Sequence, residues 1–334
     1  MARHPFPMTV VVMTLLALAA PAARAQAGPQ AVLDEILDLY KTRDVVLFGE
    51  MHDAKLNYEF RLALLKYPRF ADTVQDIVIE SGNSLYQETL DDFILKLKDV
   101  PPQDLRPVWR NTTMPTGVWD PPIYEAFIRA VREVNAARPP DKRIRLLAGD
   151  PPIDWRTVAT GDDFQKFLAQ RDEAPFMIID REVLRKGRKA LVIYGGAHLI
   201  KAEGRKTIRA LLEEKYPGKA YSLIPWSVRY NPVDVFQGIP GVGAAPAFLR
   251  LDGPEWAGVT AKKIFRYLPD RPVGEIMDAI LYLGSGPDEM LNESPEALND
   301  AAYQNELKRR RDILSQAAPP RAKPPVKKKP GIGS

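Results

Sequence analysis

Six short apolar runs, each the length of a β-strand, recur along this chain, and the stretches between them carry apolar residues at helical spacing. The runs are "DVVLFGE" from Asp44, "DIVIES" from Asp76, "IRLLAGD" from Ile144, "ALVIYGG" from Ala190, "YSLIPWSV" from Tyr221 and "IMDAILYLG" from Ile276. Their apolar content is nearly continuous, as expected of strands covered on both faces. Between them, "QAVLDEILDLYK" places Val32, Leu33, Ile36, Leu37 and Tyr40 on one side of a helix. In "DPPIYEAFIRAVREVNAARPP", Asp120 is positioned to cap and Ile123, Phe127, Ala130, Val131 and Val134 form a stripe that ends before Pro139-Pro140. "KTIRALLEEKYPG" repeats the pattern with Ile208, Leu211 and Leu212. Strand and helix in alternation imply parallel pairing with helices on both faces. The expected fold is therefore an α/β three-layer sandwich with a mainly parallel sheet. Residues 85–119 break the alternation and are expected to form a helical insert.

The ends of the chain read differently from this body. Residues 1–25 combine a basic start, the apolar run "MTVVVMTLLALAA" and the small-residue site "ARA". That is the pattern of a secretory signal peptide, with an apolar part too short to span a bilayer. The chain is expected to be exported, to the periplasm of a bacterium, without stable membrane insertion. It contains no cysteine, so it forms no disulfide and offers no thiol nucleophile. Residues 315–334 are rich in Pro and Lys with little to bury, and should be a solvated, disordered tail. Of the formal net charge of +4, residues 1–25 contribute +2 and the tail +5, which leaves the domain from Gln26 to Leu314 at −3. A body of that sign is a poor footprint for nucleic acid.

Chemistry is suggested by a repeated phrase. "VVLFGEMH" ends at His52 and "LVIYGGAH" ends at His198, and the chain's one other histidine is His4. Both phrases place Gly-x-x-His just past a buried strand, where the strand ends of a parallel sheet collect ligands. A lone histidine there is more often a hydrogen-bonded structural residue; two in matching contexts point to a site. Glu50, two residues before His52, would share its side if the extended geometry persists, and a carboxylate beside an imidazole raises its basicity and fixes its orientation. Glu80 and Asp150 end their own runs, Asp278 begins one, and Arg61, on the next helix, could aim a guanidinium at the same crevice. The body lacks a His-Glu-x-x-His helix and a Gly-x-Ser-x-Gly elbow.

Gly49-Glu50-x-His52, Glu80 at the next strand end and Gly195-x-x-His198 resemble the superfamily that joins erythromycin esterases, ChaN-like haem-binding proteins and Tiki/TraB proteins. "RIRLLAGDPPIDW" and "RDEAPFMIIDREVL" are similar to segments of the esterase-type members, and the likeness spans roughly Val45 to Leu199. The esterase branch implies a metal-free hydrolase: His52 as the base that activates water, Glu50 tuning it, Arg61 and Glu80 ordering the site, and His198 stabilising oxyanion charge. The Tiki branch implies a peptidase in which His52, His198 and Glu80 hold a divalent metal. The ChaN-like branch implies haem on one of the histidines. One residue separates Glu50 from His52 where the esterases have two, a spacing closer to the ChaN-like branch. The expected partners are accordingly a small-molecule or peptide substrate of an ester or amide hydrolase, or haem in an uptake protein.

Overall fold

The computed structural model describes residues 28–201, 204–229, 235–236, 242 and 245–317. The expected signal segment 1–25 and residues 318–334 of the expected tail lie outside the described residues; the first three residues of that tail, 315–317, are instead the end of a helix spanning Ala301–Ala317. Seven strands form one sheet in the order β3-β2-β4-β1-β5-β7-β6. They are β1 (Val45–Glu50), β2 (Asp76–Asn83), β3 (Arg145–Asp150), β4 (Ala190–Gly195), β5 (Ala220–Trp226), β6 (Ala247–Arg250) and β7 (Ala279–Tyr282). All neighbouring pairs are parallel except β6 with β7. The six expected runs are six of these strands. The seventh, β6, is an antiparallel edge strand that sequence periodicity did not reveal.

The strands sort their side chains by alternation, as a pleated sheet must. Val46, Phe48, Ile77, Ile79 and Leu191 face one side and pack on α1 (Pro29–Asp38), α2 (Lys55–Lys66), α3 (Gln87–Ile94) and α4 (Ile123–Ala136). Val45, Leu47, Val78, Leu147 and Val192 face the other, against α6 (Glu173–Ile178) and α7 (Ile208–Lys215). These are the three layers of the sandwich. A smaller cluster joins Trp155, in the turn after β3, and Phe164 of α5 (Gly161–Leu168) to Ile313 of α8 (Ala301–Ala317). Among the described residues, no helix is long and apolar enough to cross a membrane.

Two expectations change. Asp120 does not cap α4; its carboxylate accepts a hydrogen bond from the Tyr303 hydroxyl at 3.1 Å, tying the helix entry to α8. Asp278 is not at a ligand-gathering strand end. It precedes β7, level with the middle of β1 through the pairs Leu47–Ser222 and Leu223–Ala279. There it accepts the Ser222 N–H at 2.8 Å and neighbours Arg209 and Lys201, a structural clamp.

The segment 85–119 contains α3 and single helical turns, with Leu105, Val108 and Trp109 buried against the first face. Its far end brings Trp119 over the end of β1. A late stretch of chain clasps the same region: the Leu291 N–H donates to Asp53 O (2.9 Å), the Lys55 N–H to Glu289 O (3.1 Å) and the Leu56 N–H to the Asp288 carboxylate (3.0 Å).

Candidate active site at the ends of strands one, two and four

β1 and β4 are sheet neighbours, so the two matching phrases end side by side. The pairing sets Glu50 opposite Gly195, and both histidines follow within three residues. The chain leaves β1 through Met51 and His52 and reverses at Asp53, whose φ of 58° few non-glycine residues adopt, Asp being among the more tolerant. That turn is held by the Tyr124 hydroxyl, which accepts the Asp53 N–H at 3.2 Å, and by the clasp from residue 291. After β4 the chain turns at once through Gly196–His198.

Gly195 marks the centre of the site. A Cβ built on it would lie 3.2 Å from Glu80 Oε2, 3.7 Å from His52 Nε2 and 3.7 Å from His198 Cδ2. Two imidazoles and a carboxylate therefore border one small volume, open because residue 195 has no side chain. His52, Glu80 and His198 meet there, with Glu50 behind His52 on its Nδ1 side.

Each charged group has its own support. Glu50 is almost fully buried and accepts from the Arg61 guanidinium at 2.5 Å, with its other oxygen 3.7 Å from His52 Nδ1. That second contact has ion-pair length and is longer than a hydrogen bond. The His52 side chain remains 27% exposed, its ring edge-on to Trp119 at 4.6 Å between centroids. Burial works against protonating His52, but Glu50 and Glu80 outweigh it and raise its pKa above the usual 6.5. Glu80 is buried, which favours its neutral form; the two histidines, Arg171 and the Gly195 N–H outweigh this and hold it ionised. The Gly195 N–H donates to its Oε2 at 2.6 Å and Arg171 to its Oε1. His198 Nδ1 lies 2.8 Å from Asp172 Oδ1, and its Nε2 is 3.9 Å from Glu80.

Arg171, Asp172 and Trp119 were not singled out in the sequence. Arg171 and Asp172 open the stretch "RDEAPFMIIDREVL", whose apolar pattern shows a helix but not which way its leading charges point. Asp150 stands apart: it is buried, its carboxyl pushed up to about 7 by desolvation, and it accepts the Thr113 N–H at 2.7 Å and the Thr113 hydroxyl at 2.5 Å. It anchors the 85–119 segment.

Among the described residues, the three groups close enough to share a metal are Glu50, His52 and Glu80, with ligand atoms within 4.8 Å of one another. His198, expected as a metal ligand, is not among them. The spacing would suit a divalent cation, but the charge does not fit. Each of the two carboxylates already carries a guanidinium, and a cation would have to displace both or sit beside them. No step is assigned to a metal on this ground.

No family model matches the chain, and no curated protein matches it. Solved structures do share its fold. A Bacillus cereus protein superposes with a TM-score of 0.55 at 14% identity, over 79% of this chain and 95% of that one. A succinoglycan biosynthesis protein gives 0.55 at 12%, over 78% and 92%. The haem-bound ChaN of Campylobacter jejuni gives 0.38 at 15%, over 61% and 87%, a likeness too slight to carry an argument.

Proposed function

We propose that this chain is a hydrolase that cleaves an ester or amide bond with water activated by His52. The observation that supports the reading is the convergence above Gly195: His52 Nε2 faces that volume while its Nδ1 faces Glu50. The charge of Glu50, 3.7 Å from Nδ1, favours the tautomer with the proton on that side, leaving the Nε2 lone pair free to accept a proton from water. Arg61 fixes Glu50, and Glu80 presents fixed negative charge that stabilises the imidazolium formed as the proton transfers. Small-molecule or peptide substrates would enter past Trp119, beside the exposed edge of His52.

The test is a pH–rate profile on a panel of chromogenic esters and anilides. A base works unprotonated, and the His52 pKa is raised, so kcat/KM should climb with pH along a limb centred above 6.5. Glu50→Gln removes one of the charges that raise it and should move the limb to lower pH. A rate independent of pH from about 5 to 9 rules the assignment out. Chelators are expected to leave turnover unchanged; loss of activity in EDTA that zinc restores would favour the metallopeptidase reading instead.

Haem binding has one observation in its favour, the partly exposed His52 imidazole packed beside the buried Trp119 ring. A haem titration separates the readings: a Soret shift that disappears in His52→Ala would favour haem.

A further inference from the structure

We infer that His198, held by Asp172, is the proton donor to the leaving group, and that Asp172 is its positioning residue. This rests on the hydrolase reading and divides its proton traffic between two imidazoles.

The two rings are built alike but backed differently. Each presents Nδ1 to a carboxylate and another part of the ring to the volume above Gly195. For His52 the carboxylate is Glu50, already matched by the buried Arg61 guanidinium and 3.7 Å from the ring. For His198 it is Asp172 at 2.8 Å, within hydrogen-bond distance, and Asp172 takes a further hydrogen bond from the backbone N–H of Ile208 at 3.2 Å. A carboxylate only accepts, so His198 Nδ1 must donate, and the ring is locked in orientation. On its other side, Nε2 faces Glu80 Oε1 at 3.9 Å, an oxygen that also accepts from Arg171. An imidazole with one carboxylate bonded at Nδ1 and a second facing Nε2 is placed to carry an Nε2–H. The carboxylate at His198 Nδ1 is within hydrogen-bond distance and the one at His52 Nδ1 is not, so the two rings take opposite parts: His52 offers a lone pair at Nε2 and His198 a proton. Tyr194 fixes the ring further, edge-on at 5.9 Å.

The balance of the step is simple. Water loses a proton to His52 Nε2 as its oxygen bonds to the acyl carbon. The bond from that carbon to the leaving oxygen or nitrogen breaks, and the leaving atom takes the Nε2 proton of His198. His52 then holds the proton that His198 lacks, and exchange with solvent restores both.

A donor to the leaving group matters most when that group is a poor one, whereas oxyanion stabilisation or simple structural support affects all substrates alike. The experiment compares 4-nitrophenyl acetate with ethyl acetate for the wild-type chain, Asp172→Asn and His198→Gln. An amide at position 172 can turn its NH₂ toward the ring and reverse the tautomer. Both variants are expected to lose about 10²- to 10⁴-fold in kcat/KM on the alkyl ester, the range for one acid–base group, and far less on the aryl ester. Asp172→Glu should recover part of the alkyl-ester rate. Equal losses on the two esters, or no loss on either, overturn the assignment while leaving His52 as the base. A wild-type chain inert toward both esters and toward the wider panel would instead remove the hydrolase reading itself.

Discussion

His52→Ala is expected to lower kcat/KM by about 10²- to 10⁴-fold, the contribution of a single well-placed base, with the fold intact. The fold should survive because the structure leans little on this ring. It is partly exposed, and its Nδ1, though buried, has no hydrogen-bond partner to orphan. What disappears is the edge contact with Trp119, worth about 0.5–1.5 kcal/mol in comparable ring pairs. Steady-state kinetics beside thermal unfolding gives both halves of the result. Undiminished turnover in the variant would mean that the base is another group; a collapse in stability would mean that the ring is structural.

The largest stability effect is expected at Arg61. Its side chain is 5% exposed and that of Glu50 2%, so Arg61→Met leaves a carboxylate buried without its counter-charge. Breaking such a pair from one side costs about 3–5 kcal/mol. Converting both partners, Glu50→Gln with Arg61→Met, should recover much of that loss, because no buried charge then remains. The recovery measured in a double-mutant cycle is the coupling itself. Denaturant unfolding of the four proteins reads it directly, and a single-variant loss below about 1 kcal/mol would show that water reaches Glu50. The same substitution should depress catalysis, since Glu50 would no longer be fixed behind His52.

The central strands were legible because each is covered on both faces and so carries an unbroken apolar run. β6 was not: "AFLR" is four residues long and sits at an edge, where one partner suffices and the pattern weakens. Glu50, His52, Glu80 and His198 could be read from their places at strand ends, and Arg61 from its spacing on the next helix. Asp278 misled because an acid beside an apolar run does not reveal how far along its neighbours that strand begins. Arg171, Asp172 and Trp119 reach the site from loops and a helix start, where direction depends on tertiary packing and leaves no period in the sequence.

The grip of residues 288–291 on the turn after His52 has a consequence for synthesis and for proteolysis. The turn after His52 directly follows the first strand, yet its outer support comes from more than two hundred residues downstream. A ribosome must release that distant stretch before the turn can be locked, so a partly made chain would have its sheet begun and this turn still loose. Cleavage just ahead of residue 288 would loosen the turn again without touching any residue that lines it.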